Sequence, residues 1–492
     1  MNITTLLYES SRQFAAKTAI IENGEEISYE DLWYRVDKLS YVFSKIGIRD
    51  NCRVALVLPN GAEFIYCFFA LLKINAIVSP LSPGLTPFEL KRIFDNFKPY
   101  FMISQSTFVD KVLGKFPELL ENKVLVFYDD NGIHSKIKNY YVLKKLLNLY
   151  NNYEFGNSQT SLDHIATINY TYRGAGYPLG AVLSHKSYVN GILGYIEWTR
   201  IFSQDRVLAF LSFSHVFSLV GCVLAPLIGG ATVIISRNYL PKSILKLIGD
   251  FHVNRLTAIP SVYALLLQNY KEGEYDLRSL DYCITGGSYM PLEVQEVIKN
   301  KMRVTVLQGY GLTECLPITC NTHEYNKPGT LGLAGRPDIE IKIIGENSVY
   351  KEANQVGEII INSPTMMQGY YNRKDESEKI LKDGWFYTGD YGYMDEKGYL
   401  HYAGFKKNVA KVGGNMVDLK EVKDVLLSYP SILDCSVIPK NDDLWGHVLE
   451  AEVVTYSSKK LAESEIRSFC SKHLSRYKVP KTIKIKTEVA YR

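Results

Sequence analysis

The sequence predicts an α/β protein whose last third changes to closely spaced strands and then to a compact α+β tail. Short β-branched runs alternate with helical stretches in the first half, as in "RVALVL", "GAEFIYCFFALLKIN" and "AIVSPL". This alternation is typical of βαβ units that build a largely parallel sheet. It returns between Asp163 and Tyr310, so we expect a second α/β layer.

The individual elements follow from the periodicity of apolar residues. In the first layer, "PFELKRIFDNFK" predicts a helix and "YFMIS" a strand, and the second layer contains the predicted strands "RVLAFLS", "ATVIIS", "RLTAIP", "YCITGG" and "VTVLQGY". From about Gly329, "IEIKII", "VGEIIINS" and "YLHYAG" predict a small β-rich subdomain. After Gly404, the helix "DLKEVKDVLLSYP" and the strands "LDCSVIP" and "VLEAEVVTY" predict the tail. We therefore expect an N-terminal domain at residues 1–403 and a C-terminal domain at residues 404–492.

Length and composition narrow the class of protein. A chain of 492 residues is too long for one hydrophobic core, and 46% hydrophobic residues supply ample material for several. The net charge is only +4 and no run of Lys or Arg exceeds two residues, so a nucleic-acid partner is not expected. The eight cysteines form no CxxC pair, and the N-terminus has no secretory signal. These features predict reduced thiols and a cytoplasmic location.

One uncharged stretch needs a comparison with membrane spans. It runs between Arg206 and Arg237 and is long enough to cross a bilayer. Pro226, Gly229 and Gly230 interrupt it, and the "ATVII" that follows is typical of a buried strand. The pattern therefore predicts a core helix, a turn and a strand, and no membrane span.

Four segments carry candidate chemistry when they are taken together. They are "CITGGSYM" at 283–290, "VLQGYGLTE" at 306–314, "GWFYTGDYGYMDEKGYLHYAG" at 384–404 and "GFKKNVAKVGGNMVDLKEV" at 404–422. Individually they have simpler interpretations. Asp390 could be a turn residue, Thr313 and Glu314 could begin a helix, and His215 could be a satisfied core histidine.

In this order and spacing, the four segments resemble the adenylate-forming superfamily. This superfamily comprises acyl- and aryl-CoA synthetases, adenylation domains of nonribosomal peptide synthesis and beetle luciferases. The likeness runs from "ISYEDLWYRVDKLSYVFSKIGI" to "LSRYKVPKTIKI". It implies a large N-terminal domain of two stacked αβαβα subdomains plus a small β-barrel, followed by a small mobile α+β domain. Such proteins join a carboxylic acid to AMP and pass the acyl group to a thiol.

The resemblance also implies roles for individual residues. Gly286, Gly287 and Tyr310 would sandwich adenine. Thr313 would bind the α-phosphate, and Glu314 would hold Mg²⁺, a hard cation that prefers oxygen ligands.

The remaining roles concern the ribose, the acyl group and the moving domain. Asp390 would accept hydrogen bonds from the ribose hydroxyls. Lys411 is implied to be a catalytic residue, and Lys407 a hinge. His215 corresponds to a position beside the acyl pocket, although the core interpretation stays open. The other implied nucleotide-binding residues are Gln308, Thr171, Gly176 and Gly180.

The phosphate loop departs from the family pattern. In "TYRGAGYPLG", the residues Tyr172, Arg173, Gly174 and Ala175 replace the usual hydroxyl and glycine residues, and Leu179 replaces the usual lysine. Hydroxyl and ammonium donors neutralise the outer phosphates in such loops. The new arginine either supplies charge from another direction or is a solvated loop residue.

Two more departures affect adenylate formation. Phe405 stands where the family has an arginine that reaches the nucleotide. The sequence stops at Arg492, just before the Gly-Lys pair that the family carries there, so this lysine is missing from the sequence as it stands. The residues that resemble the family therefore belong to the AMP half of the site.

Three functions follow from this pattern. The first is an ordinary acid–thiol ligase that uses ATP and Mg²⁺. The second, which we favour, is a ligase with impaired ATP adenylation that still handles an acyl-adenylate. The third is a noncatalytic acyl- or nucleotide-binding partner in a biosynthetic assembly. No acid appears in "SFSHVFSLVG", where amino-acid-activating relatives place an aspartate, so a fatty or aryl acid is expected. The apolar residues expected near the acyl pocket, which favour the same choice, are Phe213, Phe217, Leu219 and Val220. The acceptor would be CoA or the phosphopantetheine arm of an acyl carrier protein.

Overall fold

The computed structural model describes residues 1–120, 124–127, 140–149, 161–345, 349–405, 409–429, 431–456 and 461–488. Its helices, in chain order, are α1 Ile3–Gln13, α2 Tyr29–Lys45, α3 Ala62–Lys73, α4 Pro87–Phe97, α5 Ser106–Leu113, α6 Leu143–Leu149, α7 His185–Thr199, α8 Val216–Ser218, α9 Ala225–Ile228, α10 Pro241–Asp250, α11 Pro260–Asn269, α12 Leu292–Met302, α13 Lys374–Ile380, α14 Leu419–Leu427 and α15 Glu463–His473. A π-helical stretch, Leu219–Leu224, joins α8 to α9, and 3₁₀ turns cover Pro117–Leu120 and Arg476–Lys478.

The strands form four sheets. In chain order they are β1 Thr18–Glu22, β2 Glu25–Ser28, β3 Arg53–Val57, β4 Ile77–Pro80, β5 Phe101–Ser104, β6 Val124–Phe127, β7 Tyr140–Val142, β8 Ile165–Thr171, β9 Leu179–Ser184, β10 Arg206–Ala209, β11 Thr232–Ile235, β12 Arg255–Ala258, β13 Tyr282–Thr285, β14 Val306–Leu312, β15 Cys315–Cys320, β16 Leu333–Ala334, β17 Glu340–Ile344, β18 Gly357–Asn362, β19 Leu381–Lys382, β20 Trp385–Met394, β21 Leu400–Phe405, β22 Val409–Val412, β23 Asn415–Asp418, β24 Ile432–Asp442, β25 Gly446–Tyr456 and β26 Thr482–Glu488.

The first sheet has seven strands in the order β7-β6-β5-β3-β4-β8-β9. All neighbours are parallel except β8 and β9, which form an antiparallel hairpin. We expected the strands after Asp163 to enter the second layer, but this hairpin completes the first sheet. Consequently the phosphate-loop segment, which joins β8 to β9, lies at the edge of the first sheet.

The second sheet has nine strands in the order β16-β15-β14-β13-β12-β10-β11-β1-β2. Strands β10 to β14 are parallel, as predicted for the second layer. The N-terminal hairpin of β1 and β2 joins its far edge through a parallel pairing of β1 with β11. Because parallel strands direct their carboxyl ends to one edge, the loops after β13 and β14 lie side by side.

The alternation along β3 shows how the layers stack. Val54 and Leu56 belong to a core that also holds Val207 and Ala209 of the second sheet. Ala55 and the other outward residues of β3 pack instead with α4 and α5. A further core joins the opposite face of the second sheet to α10, α11 and α12. This arrangement matches the two stacked αβαβα layers that were expected.

Two smaller sheets follow. The third, with order β17-β18-β20-β19 and β21 beside β20, is the predicted β-rich subdomain. The fourth has the order β23-β22-β25-β24 with β26 beside β25, and it forms a separate core with α14 and α15. We call the described residues of 409–488 the C-terminal unit. Of the described helices, none is long and apolar enough to cross a bilayer.

Candidate active site

The loop between β8 and β9 has the backbone of a phosphate-binding turn. Gly174 and Gly176 have positive φ angles of 81° and 84°, which favour glycine. Thr171 ends β8 directly opposite Leu179 in the hairpin. A Cβ added at Gly180 would lie 2.6 Å from Ile168 Cγ2, so only glycine lets the two strands approach this closely.

Two of the replaced side chains in this loop point into the protein. Leu179 is buried in the core shared by the two large sheets, at the position where the family has its lysine. Tyr172 is also buried, and its ring packs against Lys478 of the C-terminal unit, with Nζ 3.8 Å from the ring centroid. Neither residue presents a charge to a phosphate.

Arg173 is only partly exposed and is paired, so the interpretation as a solvated loop residue is wrong. Its Nε donates to Glu314 Oε1 at 2.7 Å, and Nη1 donates to the carbonyl oxygen of Thr388. Its guanidinium carbon lies 5.5 Å from the ring centroid of Phe386. The same Glu314 oxygen accepts a hydrogen bond of 2.6 Å from the Tyr370 hydroxyl. Arg173 is therefore held rigidly against the residue that was expected to bind Mg²⁺.

Thr313 and Glu314 occupy the turn between the antiparallel strands β14 and β15. The alternative in which they begin a helix is therefore wrong. Glu314 is almost fully buried, and Thr313 is half-buried with no side-chain hydrogen bond to the described residues. Burial alone would raise the pKa of Glu314, but the Arg173 guanidinium holds that pKa below its usual value.

The residues expected around adenine follow β13 and β14, and these strands are adjacent and parallel. Gly287 has a φ of 78°, and a Cβ at Gly286 would lie 3.0 Å from the ring of Phe217. Gln308 lies opposite Thr285 in the register of the two strands.

Several buried polar atoms here have no partner among the described residues, namely Thr285 Oγ1, Ser288 Oγ and Gln308 Nε2. Buried polar groups are usually hydrogen-bonded, so these unpaired atoms suit a ligand with its own donors and acceptors. A purine ring has both kinds of group.

Tyr310 and Asp390 form a buried pair beside these loops. The Tyr310 hydroxyl donates to Asp390 Oδ2 at 2.6 Å, and both side chains are buried. Asp390 lies within β20, with Phe405 opposite it on β21, so the interpretation as a simple turn residue is wrong. A buried carboxylate suits a pair of hydroxyl donors such as a ribose diol.

Lys411, on β22 of the C-terminal unit, reaches this site. It is surrounded by protein, and burial lowers the pKa of its ammonium while Asp390 acts to raise it. Arg173 and Glu314 also act on it electrostatically. The structure thus brings two cations, Arg173 and Lys411, close to two carboxylates, Glu314 and Asp390. The formal charges of these four side chains sum to zero. Lys407, the expected hinge, lies outside the described residues.

The C-terminal unit also contacts the phosphate loop directly. The Gly176 amide donates to Asp418 Oδ2 at 2.5 Å, and a Cβ at Gly176 would meet the Lys420 side chain. Asp418 is also the N-cap of α14, since its Oδ1 accepts from the Lys420 amide at 2.8 Å. This contact could not be predicted from the sequence, because Gly176 and Asp418 are far apart in the chain.

His215 caps the short helix α8, and its turn touches the adenine loops through Phe217. Its side chain is exposed to solvent, and desolvation by the surrounding protein lowers its pKa. Phe213, Leu219 and Val220, which were expected near the acyl pocket, are buried in the shared core. Of the four apolar residues predicted there, Phe217 is the one that is half-buried.

The site fits a nucleoside monophosphate better than it fits a divalent cation. The unpaired atoms near Gln308 and the Tyr310–Asp390 pair match a purine and a ribose. Glu314, however, already has a guanidinium at hydrogen-bonding distance. No cluster of three or more metal-ligating side chains is found in the described ranges.

Two families of known proteins match most of this chain. The family described as "AMP-binding enzyme" matches residues 7–371, and the family "AMP-binding enzyme C-terminal domain" matches residues 421–490. A long-chain-fatty-acid–CoA ligase of Bacillus subtilis is 27% identical over 99% of this chain and 91% of its own length. A probable CoA ligase of Humulus lupulus, CCL5, is 29% identical over 97% of this chain and 88% of its own length.

Among solved structures, the o-succinylbenzoate CoA synthetase (MenE) of Bacillus subtilis, bound with a product analogue, superposes with a TM-score of 0.84. It is 23% identical, and the match covers 99% of this chain and 95% of that one. This similarity supports the fold.

Proposed function

This chain belongs to the AMP-binding enzyme family, and from that premise we propose that it is an acid–thiol ligase with an impaired ATP-adenylation step. Its proposed ligands are AMP, for which the family is named, CoA, which the names of its relatives contain, and ATP as the source of AMP. The AMP half of its site is intact, whereas the part that would hold the outer phosphates of ATP is altered.

The complete reaction has two steps. In the first, a carboxylate oxygen attacks the α-phosphorus of ATP, which gives an acyl-adenylate and releases pyrophosphate. In the second, the thiol sulfur attacks the acyl carbon, the bond from this carbon to the AMP oxygen breaks, and the thiol proton passes to solvent. A thioester and AMP result. The second step needs no contact with outer phosphates, so it is the step that this site supports.

The observation that carries the proposal is the contact between Gly176 and Asp418. Backbone amides of a glycine-rich loop normally point at a phosphate anion. Here the Gly176 amide donates to the carboxylate of Asp418 at 2.5 Å. An outer phosphate of ATP would have to displace this carboxylate and then face its negative charge. Leu179 replaces the lysine of the family's loop, and the neighbouring Lys420 already pairs with Asp424 at 2.9 Å, so no loop lysine offsets that repulsion.

The residues expected to bind AMP differ from the phosphate loop, because positive charge is available beside them. Tyr310 and Asp390 are positioned by a hydrogen bond of 2.6 Å, and Lys411 lies close enough to act on Asp390. A leaving AMP develops negative charge as the acyl bond breaks, and a nearby ammonium stabilises that charge. We therefore assign Lys411 to the thioester-forming step.

The substrate we propose is a fatty or aryl carboxylic acid. The relatives include a long-chain-fatty-acid–CoA ligase and a probable CoA ligase. Phe217 lies beside Gly286, and His215 is two residues before it in the chain. No acidic side chain occurs in "SFSHVFSLVG" to hold an amino group. CoA is the proposed acceptor, and the pantetheine arm of an acyl carrier protein is the alternative thiol.

The test measures the two steps separately. One arm supplies a preformed acyl-adenylate and CoA, and the other supplies the free acid, ATP, Mg²⁺ and CoA, with mass spectrometry of the thioester in both. We expect enzyme-dependent thioester in the first arm and far less in the second. Vigorous ATP–pyrophosphate exchange with any fatty or aryl acid would overturn the proposal. Binding of AMP without turnover in either arm would support instead the noncatalytic acyl- or nucleotide-binding partner.

A further inference from the structure

Arg173 stands out because it brings a positive charge to the place that the family resemblance gives to Mg²⁺. Its side chain is 16% exposed, whereas its partner Glu314 is 1% exposed. A buried carboxylate requires a compensating cation, since an unpaired one is strongly destabilising. Arg173 supplies that cation permanently, because arginine stays protonated in proteins.

The guanidinium is fixed from three directions. Glu314 accepts from Nε, the Thr388 carbonyl accepts from Nη1, and the Phe386 ring lies beneath it. Nη2 has no hydrogen-bond partner within the described ranges and is buried. A fixed cation with an unused donor is suited to bind an anionic oxygen, since guanidinium N–H groups pair well with phosphate.

The position of Arg173 relative to Asp390, the expected acceptor for the ribose hydroxyls, indicates which anion Arg173 would bind. Its partner Thr388 is two residues from Asp390 on β20, and Asp390 acts on Arg173 electrostatically. The 5′-phosphate of a nucleotide is bonded to the same ribose whose hydroxyls suit Asp390. The guanidinium therefore lies where that phosphate would be within reach.

Charge balance opposes a divalent cation at the same place. Arg173 and Lys411 balance Glu314 and Asp390, so Mg²⁺ entering without a nucleotide would leave an excess of two positive charges in a buried site. Buried charges without partners are costly. A nucleotide phosphate instead adds negative charge beside two cations, and this compensates part of its own desolvation.

We propose that Arg173 binds the phosphate of a nucleoside monophosphate or acyl-adenylate and replaces the divalent cation at Glu314. This inference rests on the proposed function, because it assumes a nucleotide in the site. It predicts that the protein binds AMP equally well with and without Mg²⁺. It also predicts that removal of Arg173 creates a dependence on Mg²⁺, since Glu314 then becomes available as a ligand.

Isothermal titration calorimetry of AMP into the full chain tests this, in EDTA and in excess MgCl₂. We expect wild-type affinity to be the same in both buffers. Arg173→Gly should weaken AMP binding in EDTA by about 10- to 100-fold, the loss of one charge-assisted contact, and Mg²⁺ should restore part of it. Arg278→Gln, which changes an exposed arginine paired with Asp276, is the matched control and should behave as wild type.

Because Arg173→Gly leaves Glu314 buried without its cation, a double variant guards against misfolding. Arg173→Gln with Glu314→Gln removes both charges, so it should fold, bind AMP weakly and show no response to Mg²⁺. The inference is overturned if wild-type binding requires Mg²⁺, or if Arg173→Gly keeps full affinity in EDTA. Failure to bind AMP in either buffer would overturn both this inference and the proposed function. Metal-independent AMP binding without thioester formation would overturn the proposed ligase function but not the inference about Arg173.

Discussion

Lys478 Nζ lies 2.8 Å from Glu89 Oε1, and this ion pair joins the C-terminal unit to α4 of the first layer. The same ammonium lies 2.9 Å from Glu421 Oε2, and none of the three side chains is more than 1% exposed. Tyr172 of the phosphate loop covers the cluster. Two carboxylates from different parts of the chain thus share one buried lysine, and the loop meets the C-terminal unit at that point.

The first prediction concerns Lys478 itself. Lys478→Met leaves Glu89 buried without its cation, while Glu421 keeps Arg92 at 3.0 Å, so we expect the free energy of unfolding to fall by about 3–5 kcal/mol. The C-terminal unit should also separate from α4, which small-angle scattering would record as an increased radius of gyration.

Lys481→Met is the matched control, since Lys481 is 62% exposed and pairs with Asp442 at 3.0 Å. Such exposed pairs contribute about 0–1 kcal/mol, so stability and scattering should change little. Equal effects of the two substitutions would contradict a special role for the buried lysine.

The second prediction concerns acid. Burial alone would raise the pKa of Glu89, but Lys478 together with hydrogen bonds from Thr86 and Ser475 holds it below its ordinary value of 4.5. Its stabilising contribution is therefore complete above the ordinary value and is lost as the pH falls through the lowered one. The C-terminal unit should be less firmly attached in that acid range.

Glu89→Gln isolates this effect. Burial raises the pKa of Glu421, and the Glu89 carboxylate raises it further, so the difference between the two proteins also contains this coupling of the two carboxylates. We expect the stability advantage of wild type over Glu89→Gln to shrink as the pH drops below 4.5, measured by chemical denaturation at each pH. An advantage that stays constant into this range would argue against the assigned pair.

The third prediction concerns the adenine loops. A Cβ at Gly286 would lie 3.0 Å from the Phe217 ring and would project into the space beside the backbone. We expect Gly286→Ala to lower AMP affinity about ten-fold, or ~1.4 kcal/mol, without unfolding the protein. Gly114→Ala, where the nearest atom lies at 3.5 Å, is the control. Calorimetry with AMP decides, and unchanged affinity would show that adenine binds elsewhere.

The fourth prediction concerns Asp418. Asp418→Ser removes the carboxylate from the Gly176 amide but keeps a side chain that caps α14, since serine is as good an N-cap as aspartate. Affinity for ATP should rise relative to AMP, because the loop amide becomes available to an outer phosphate. Competition titration of the two nucleotides measures this, and an unchanged ratio would show that Asp418 does not compete with phosphate.

Much of the site was predictable because local rules act on contiguous residues. The glycines of the loop after β13 follow the strand that was predicted at "YCITGG". The loss of hydroxyls and lysine is visible in "TYRGAGYPLG". The predicted start of the second layer at Asp163 was wrong, because β8 and β9 belong to the first sheet. Pairing partners in a parallel sheet are set by long-range packing and leave no local signal.

The partners of the charged residues could not be predicted. Whether a loop arginine is solvated or buried depends on the residues that pack against it. Only the folded chain places Glu314, Thr388 and Phe386 around Arg173. The same holds for Lys478, whose sequence neighbours do not reveal that Glu89, distant in the chain, comes within 2.8 Å.

The sequence by itself therefore determined the layered α/β architecture, the family resemblance and the change in the phosphate loop. These three features depend on residue order and on the periodicity of apolar residues. The tertiary structure decided how the resulting charges are balanced. Electrostatic energy depends on distance and burial, and contacts between residues far apart in the chain set both.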